Sequence, residues 1–453
     1  MKHLGYAKPM FNLISEEQIK EYREQLLQAQ LSYCYKNSVY YHKMFKEVGF
    51  EPQDIKTIED FQKIPILMSK DRERESQAES IEKLGHPFGM HLCCPPEEVV
   101  IMGSTSGTTG IPTYTYSLSE SDLQVIKEFW PHVLRYAGIH PGDRILFAHA
   151  LGIYATTCVE YGIRAAGCLP VDVDVRGGAH FILNSAKLTR PHAAFMTPSL
   201  AEYMVDRAPQ IIGMEMRDFG FKALFCVGEI GVGVPEVKQK IEDGFGCRVY
   251  DWIGPMAGTF AVSCDSDEYY GMHALSSYGD LYPDDLVDPD TKEPLEVKDG
   301  VIGEAIYTSL NRRACPLIRF SSGDMVQVFT EECPVCGFKG RRLKVVGRTD
   351  DMLVVKGTNI YPAAIKKSIA QFIPEITGEM RIVLNNPPPR VVPPLQLKLE
   401  YGLKTEERDL PALEERIKKA LSFEVKVNPT IIWVEPKSLE KSLAKTPVFE
   451  NNY

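Results

Sequence analysis

Hydrophobic and polar positions alternate with two different periods along this chain, and the change of period divides it into regions. Residues 13–48 carry Leu, Ile and Tyr at three- and four-residue spacing, which predicts amphipathic helix starting near Ser15. From Ser119 onward, helix-length segments alternate with short apolar runs. These runs predict strands at Arg144–Phe147, Cys168–Val171, Ala193–Met196, Ala223–Cys226 and Arg248–Tyr250. Such spacing is typical of parallel β-α-β units, whose ligands collect at the carboxyl ends of the strands.

The pattern changes after residue 260, where helical periodicity fades and Asp, Pro and Gly turns separate short β runs. We expect a β-rich subdomain at 260–347, closing a large N-terminal domain at 1–347. A smaller α+β domain is predicted at 348–453. Its expected elements are strands near Arg381–Leu384, Leu395–Tyr401 and Thr430–Val434 and a helix at Leu410–Leu421. The predicted fold class is therefore α/β, with a parallel sheet and a small C-terminal α+β domain.

The composition is typical of an ordinary soluble protein. The 453 residues are 44% hydrophobic and 25% charged, enough for two or three domains with a large core. A net charge of −10 argues against nonspecific nucleic-acid binding. The sequence has neither a signal-peptide pattern nor an apolar run of membrane-spanning length. We therefore expect a cytoplasmic protein whose cysteines are reduced thiols.

A loop rich in hydroxyls and glycines gives the strongest chemical signal. Its residues are Ser104, Thr105, Ser106, Gly107, Thr108, Thr109 and Gly110. Glycines allow the backbone to approach a ligand closely, and free N–H groups and hydroxyls can surround phosphate oxygens. No lysine follows Gly110, so the loop is not a Walker-type phosphate loop.

This loop resembles the phosphate-binding signature of the acyl-adenylate-forming enzymes. The run from Val346 to Pro362, VGRTDDMLVVKGTNIYP, is similar to the phenylacetate-CoA ligase branch of that superfamily. The resemblance covers the chain from about Pro95 to its C-terminus. It implies that ATP, with Mg²⁺, activates a small aromatic or hydrophobic carboxylic acid as acyl-AMP, and that coenzyme A then displaces AMP. It also implies a mobile C-terminal lid and a homodimer.

Several residues match the nucleotide site of that family. Asp324 matches a carboxylate that accepts hydrogen bonds from the ribose hydroxyls, and Arg348 matches an arginine on the ribose and phosphate side. Two short segments match those that bracket the adenine and the acyl group, namely Gly228, Glu229 and Ile230, and Asp251, Trp252 and Ile253. Trp252 suits either stacking on the base or a place in the core.

The C-terminal domain matches the lid of the same family. Lys445 stands where the family has a catalytic lysine that stabilises charge at the α-phosphate, although Lys437 and Lys441 are nearby competitors. Asp350 matches the hinge about which the lid rotates between adenylation and thioester formation. The positions matching the pantetheine tunnel of coenzyme A are Lys356, Gly357 and Thr358.

The acyl pocket matches the segment that contains His149, Gly152 and Tyr154. Gly152 leaves room, Tyr154 can shape an apolar wall, and His149 can either bind a polar substituent or orient the loop. Ala257 replaces the glutamate that usually supports Mg²⁺ in this family. Two alternatives therefore stay open: an adenylating enzyme with a carrier thiol, alcohol or amine as acceptor, and a nucleotide-binding protein without turnover.

Cys333 and Cys336 have the Cys-x-x-Cys spacing of half a zinc site, and Cys264 and His273 can supply two further ligands. Members of the phenylacetate-CoA ligase branch carry a similar set. Four such ligands with no open position would hold a structural Zn²⁺. The alternative is a group of buried reduced thiols beside a hydrogen-bonded histidine.

Overall fold

The computed structural model describes residues 16–105, 113–149, 156–254, 261–275, 280–355, 358–439 and 446–453. Its α-helices are α1 (Glu16–Asn37), α2 (Val39–Val48), α3 (Ile58–Gln62), α4 (Lys70–Leu84), α5 (Glu120–Tyr136), α6 (Thr156–Ala165), α7 (Gly178–Thr189), α8 (Pro198–Ile212), α9 (Pro235–Phe245), α10 (Pro362–Ala370) and α11 (Leu410–Glu424).

The first ten strands in chain order include the parallel region. They are β1 (Met68–Ser69), β2 (Val99–Thr105), β3 (Thr113–Ser119), β4 (Arg144–Phe147), β5 (Leu169–Asp172), β6 (Ala193–Met196), β7 (Ala223–Cys226), β8 (Arg248–Ile253), β9 (Ala261–Ser263) and β10 (Met272–Ala274). The later strands are β11 (Leu286–Val287), β12 (Ile302–Tyr307), β13 (Phe320–Phe329), β14 (Arg342–Arg348), β15 (Leu353–Val355), β16 (Thr358–Ile360), β17 (Ile376–Leu384), β18 (Arg390–Val391), β19 (Gln396–Tyr401), β20 (Thr430–Val434) and β21 (Phe449–Asn451).

Local capping explains where two of the helices begin. The predicted helix over 13–48 is divided by Ser38, whose hydroxyl accepts a hydrogen bond from the Tyr41 N–H and caps α2. Helix α5 begins after Ser119, where Ser119 and Asp122 form the expected capping box. The predicted start at Ser15 lies outside the described residues.

Strands β8, β7, β6, β4 and β5 lie side by side in that order, and each neighbouring pair is parallel. Alternate residues of these strands face opposite sides: Phe147 and Phe195 pack with α5 and α6, and Leu146 and Met196 pack with α7, α8 and α9. Helices therefore cover both faces, as parallel sheets require. The predicted parallel β-α-β region is confirmed.

The predicted β-rich region does not form a sheet of its own. Strand β9 pairs antiparallel with β8, so strands β9 to β14 continue the parallel strands as one mixed sheet of twelve strands. Among the described residues the connections between these strands contain no α-helix, which suits antiparallel pairing because antiparallel neighbours need no helical crossover. The β-rich subdomain at 260–347, as part of an N-terminal domain at 1–347, stays a prediction.

The C-terminal region has its own sheets and core. Strands β20, β19, β17 and β21 form a four-stranded sheet, and α10 and α11 pack with it around Ile365, Leu397 and Ile417, which are fully buried. Helix α10 and strand β21 are additions to the elements predicted from sequence. Among the described residues, no helix has the length and apolarity needed to cross a membrane.

Candidate active site

Three predicted site segments lie at one edge of the parallel sheet. His149 and Gly228 follow strands β4 and β7, Asp251 lies in the second half of β8, and the carboxyl ends of parallel strands meet at one edge. Gly228 has φ +91°, a left-handed conformation that favours glycine. The edge thus collects three positions that are up to 102 residues apart in sequence, from 149 to 251.

Asp324 and Arg348 form the best-defined polar pair of the site. They lie opposite each other on β13 and β14, and Arg348 Nη1 donates to Asp324 Oδ1 at 2.6 Å. The hydroxyls of Ser322 and Tyr307 donate to Asp324 Oδ2 at 2.5 and 3.0 Å. Burial disfavours ionisation, but Arg348 and Ser322 outweigh it and hold the pKa of Asp324 below its usual range. The carboxylate is therefore charged and fixed in orientation.

Arg348 also links this pair to the predicted hinge. Its Nε and Nη2 atoms donate to the two carboxylate oxygens of Asp350 at 2.7 and 2.9 Å. Gly323 has φ +85°, and a side chain there would come within 2.9 Å of the Thr349 hydroxyl. Glycine is thus required beside Asp324 for β13 to approach the chain at the hinge.

Asp251 has the opposite electrostatic environment. Burial raises the pKa of Asp251 to about 7, although the Tyr269 hydroxyl and the Lys344 ammonium oppose the shift. The Tyr269 hydroxyl donates to Asp251 Oδ2 at 2.6 Å. Lys344 Nζ donates to the Gly233 carbonyl at 2.7 Å and lies 5.4 Å from the centre of the Tyr269 ring. The two predicted acidic residues Asp251 and Asp324 thus have pKa shifts of opposite sign.

Trp252 belongs to the core. It is 4% exposed, and its ring meets those of Trp130 and Phe195 edge-on at 5.1 and 6.1 Å. The structure therefore favours the core alternative over stacking on a base, because alternation along β8 directs this side chain inward. Its neighbour Ile253 is half-buried and packs on the opposite hydrophobic cluster.

Glu229 connects the site to the C-terminal region. Its Oε1 atom accepts a hydrogen bond from the Thr446 backbone N–H at 2.7 Å, across 217 positions of sequence. Its Oε2 atom accepts the Ser199 hydroxyl and, at 3.4 Å, the Ser199 backbone N–H. Ile230, the next residue, is half-buried against the cluster that contains Val232 and Val237.

The histidine of the predicted acyl pocket is buried at the end of β4. His149 is 5% exposed, and burial lowers the pKa of its imidazole to about 4. Its Nε2 atom has no hydrogen-bond partner in the part of the chain that the structure describes. A neutral imidazole with a free ring nitrogen can bind a polar substituent of an acyl group.

Only the first two residues of the glycine-rich loop are described. Ser104 and Thr105 end β2, which pairs with β3 in an antiparallel hairpin, and Thr105 lies opposite Thr113. The remaining predicted positions Ser106, Gly107, Thr108, Thr109 and Gly110 lie outside the described residues. The same holds for Gly152, Tyr154, Ala257, Lys356, Gly357 and Lys445. Thr358 is described and is exposed at the start of β16.

The four predicted metal ligands lie together. The Cys264, Cys333 and Cys336 sulfurs and one ring nitrogen of His273 are all within 4.8 Å of one another, and all four residues are buried. His273 Nδ1 is 3.1 Å from the Val262 carbonyl, which leaves Nε2, 3.3 Å from Cys336 Sγ, for a metal. The set therefore fits a tetrahedral ion bound by sulfur and nitrogen.

Strand pairing brings this cluster together. Cys264 follows β9, His273 lies on the neighbouring β10, and Cys333 and Cys336 lie in the connection from β13 to β14, which pairs with β10. Hydrogen bonds among the thiols hold the pKa of Cys333 well below its usual range and raise that of Cys336. None of the 11 cysteines forms a disulfide.

Sequence reasoning missed Tyr307 and Tyr269, which donate hydrogen bonds to Asp324 and Asp251, and Lys344, whose charge acts on Asp251. Tyr307 and Lys344 lie on strands whose neighbours are fixed only by long-range pairing. No local pattern marks these residues. Ser322, beside Asp324 in the SSGD run, was within reach of the sequence because hydroxyls commonly orient neighbouring carboxylates.

Comparison with known proteins agrees with this geometry. A family model described as the AMP-binding enzyme C-terminal domain matches residues 357–452. The chain is 27% identical over 391 residues to a phenylacetate-coenzyme A ligase of Thermus thermophilus, covering 83% of this chain and 80% of that protein. It is 26% identical over 375 residues to the enzyme of the same description from Escherichia coli, covering 79% and 77%.

Solved structures extend the similarity to the whole architecture. A 2-hydroxyisobutyryl-CoA ligase in the postadenylation state, in complex with 2-HIB-AMP, superposes with a TM-score of 0.84 at 26% identity, covering 98% of this chain and 92% of that one. The same ligase in complex with 2-HIB-AMP and CoA in the thioesterification state gives a TM-score of 0.66 at 26% identity, covering 99% and 93%.

The fold, the C-terminal region that matches the family model and these relatives together define an acyl-adenylate-forming enzyme. Within that superfamily the chain is similar to phenylacetate-CoA ligases, and its enzymatic class is that of the AMP-forming acid–CoA ligases.

Proposed function

We propose that this enzyme activates a small aromatic or hydrophobic carboxylic acid with Mg-ATP, forms acyl-AMP with release of pyrophosphate, and transfers the acyl group to coenzyme A. The observation that carries this proposal is the Asp324–Arg348 pair. Tyr307, Ser322 and Arg348 donate hydrogen bonds that orient the charged carboxylate of Asp324, whose side chain is 16% exposed. This carboxylate retains lone pairs for the hydroxyls of a ribose.

The roles of the other predicted residues follow from this assignment. The glycine-rich loop Ser104–Gly110 would surround the phosphates, and Arg348 would face the ribose and phosphate side. Lys445 would stabilise the charge that develops as the carboxylate attacks the α-phosphate. We place the domain boundary at residues 347 and 348, with Asp350 as the hinge of the lid and Lys356, Gly357 and Thr358 on the path of coenzyme A.

The acyl group would lie beside His149, with Gly152 and Tyr154 in the same segment. A neutral, buried His149 whose Nε2 has no partner among the described residues favours an acid that carries a hydroxyl or another polar group beside its apolar part. The similarity to a 2-hydroxyisobutyryl-CoA ligase supports including short hydroxylated acids beside aromatic ones among the candidate substrates.

Two metal ions belong to the proposal. Zn²⁺ would be held by Cys264, His273, Cys333 and Cys336, whose closed set of four ligands suits a structural role. Mg²⁺ would accompany ATP and, with Ala257 in place of the usual glutamate, would rely on phosphate oxygens and water. The homodimer implied by the resemblance stays a prediction.

The test is pyrophosphate release with Mg-ATP over a panel of aromatic, aliphatic and hydroxylated carboxylic acids, with and without coenzyme A. We expect release that depends on a particular acid, and a coenzyme A thioester when CoA is added. Acid-dependent release without a thioester would favour a carrier thiol, alcohol or amine as acceptor. ATP binding without release under any condition would favour the nucleotide-binding alternative, and Ala257→Glu would then be examined.

A further inference from the structure

The Glu229 carboxylate is anchored on one side and holds a distant segment on the other. Ser199, which donates its hydroxyl and backbone N–H to Oε2, is the second residue of α8. A carboxylate at a helix N-terminus is stabilised by the free N–H groups and the helix dipole. The side chain is thus fixed to the N-terminal region before it reaches the C-terminal one.

The other oxygen holds the chain directly after the predicted catalytic lysine. Glu229 Oε1 accepts the Thr446 N–H at 2.7 Å, and Thr446 follows Lys445 in the sequence. The α-carbons of consecutive residues are about 3.8 Å apart, so fixing one peptide strongly limits where its neighbour can lie. A hydrogen bond to a charged acceptor is stronger than a neutral one, which suits a contact that must align a mobile segment.

Both oxygens of Glu229 are therefore occupied by protein donors. Gly228, Glu229 and Ile230 match one of the two segments that bracket the adenine and the acyl group. The observed contacts direct the carboxylate towards α8 and the C-terminal segment. This leaves the backbone at Gly228, with its left-handed φ of +91°, as the part of the segment free to approach a nucleotide.

The contact belongs to one arrangement of the two regions. The chain superposes with a TM-score of 0.84 on the postadenylation structure of 2-hydroxyisobutyryl-CoA ligase and 0.66 on its thioesterification structure, over nearly equal coverage. The two structures of that ligase thus differ in overall arrangement, and this chain has the arrangement of the first. A hydrogen bond between the two regions depends on which arrangement is present.

We propose that Glu229 is a positioning residue that holds the Thr446 peptide, next in sequence to Lys445, while acyl-AMP forms, and that this bond breaks before thioester formation. The inference rests on the proposed function, in which Lys445 acts in the adenylation step. Glu229 contacts neither of the reacting groups; it acts through the peptide that it holds.

The first test measures the contact without any substrate. Hydrogen exchange at the Thr446 amide should be slow in the wild type and at least about tenfold faster in Glu229→Ala, because the variant removes the acceptor. Glu236→Ala is the matched control, since Glu236 is exposed at the start of α9. Equal exchange in the wild type and Glu229→Ala would overturn the proposal, whether or not the protein proves to be a ligase.

The second test separates the two half-reactions, using the acid that the substrate panel identifies. Glu229→Ala should slow single-turnover pyrophosphate release at least about tenfold, while thioester formation from prepared acyl-AMP and CoA and the KM for ATP stay within about twofold. Glu229→Gln keeps an acceptor oxygen for Thr446 and should recover the first step to within about threefold of the wild type. The proposal would be contradicted if Glu229→Ala slowed both half-reactions equally or raised the KM for ATP tenfold. It would also be contradicted if Glu229→Gln did not recover the rate of pyrophosphate release.

A double variant tests whether Glu229 acts through the lysine. In a Lys445→Ala background, adding Glu229→Ala should slow pyrophosphate release by less than about twofold further, because residues that act as one unit are not additive. An independent further loss of tenfold would show that Glu229 does not act through Lys445. Absence of pyrophosphate release in the wild type would refute the proposed function alone, since hydrogen exchange still decides the contact.

Discussion

One β-hairpin carries two sites of very different character. At one end of the β13–β14 ladder, Asp324 faces Arg348 at 16% and 22% exposure, and hydrogen-bond capacity remains for a ligand. At the other end, the connecting turn supplies Cys333 and Cys336 to a cluster whose members are at most 5% exposed. The same pair of strands can therefore carry a closed cluster of candidate metal ligands at one end and a partly exposed candidate ligand site at the other.

Loss of a ligand from the closed site should have the largest effect. Cys336→Ser should abolish stoichiometric metal binding and lower the unfolding temperature by about 10 °C, because structural metal binding contributes directly to folding stability. Metal analysis and calorimetry check this, with Cys247→Ser, a thiol outside the cluster, as the control. If Cys336→Ser left metal content and stability unchanged, the cluster at this end of the hairpin would not be a structural metal site.

Loss of the carboxylate from the open site should affect activity more than stability. Asp324→Ala should lower kcat/KM for ATP by about 100-fold, as expected when two hydrogen bonds to a charged group are lost, and should change the unfolding temperature by only about 3 °C. Steady-state kinetics of pyrophosphate release measure the change in kcat/KM. Glu296→Ala is the control, because Glu296 is exposed. A large loss of stability with normal KM for ATP would mean that Asp324 is structural.

The smallest effect should come from pH, and it should distinguish Asp251 from Asp324. The folded-state pKa of Asp251 is raised to about 7, so its contribution to stability is present below the unfolded carboxyl pKa of about 4 and is lost as pH rises through 7. Between pH 5 and 8 the wild type should therefore lose a few degrees of unfolding temperature relative to Asp251→Asn.

Asp324 should behave differently over that range. Its pKa is lowered, so its contribution is present above the usual carboxyl pKa and is lost only as pH falls through its lower folded value. The pH dependence of both contributions is measured from unfolding temperatures at four pH values between 5 and 8. The proteins compared are the wild type, Asp251→Asn and Asp324→Asn. A constant difference between the wild type and Asp251→Asn would contradict the raised pKa.

Local patterns were sufficient for the elements that depend on near neighbours. The predicted bounds of Arg144–Phe147, Ala193–Met196, Ala223–Cys226 and Thr430–Val434 match the strands, because turns and helices on either side delimit their apolar runs. The helix beginning after Ser119 was predictable because its capping box is made by residues three positions apart. The Cys-x-x-Cys spacing likewise predicted two of the four residues in the cluster.

Local sequence patterns were therefore sufficient for the parallel strands, the capped helices, the candidate metal ligands and the resemblance to an enzyme family. Packing of distant parts of the chain was needed to show that β9 to β14 extend the same sheet, that Trp252 belongs to the core and that Glu229 meets Thr446. The two groups of features differ in the sequence separation over which their interactions act. Capping and periodicity act over a few residues, whereas strand order, side-chain environment and a contact across 217 positions follow from the packing of the whole chain.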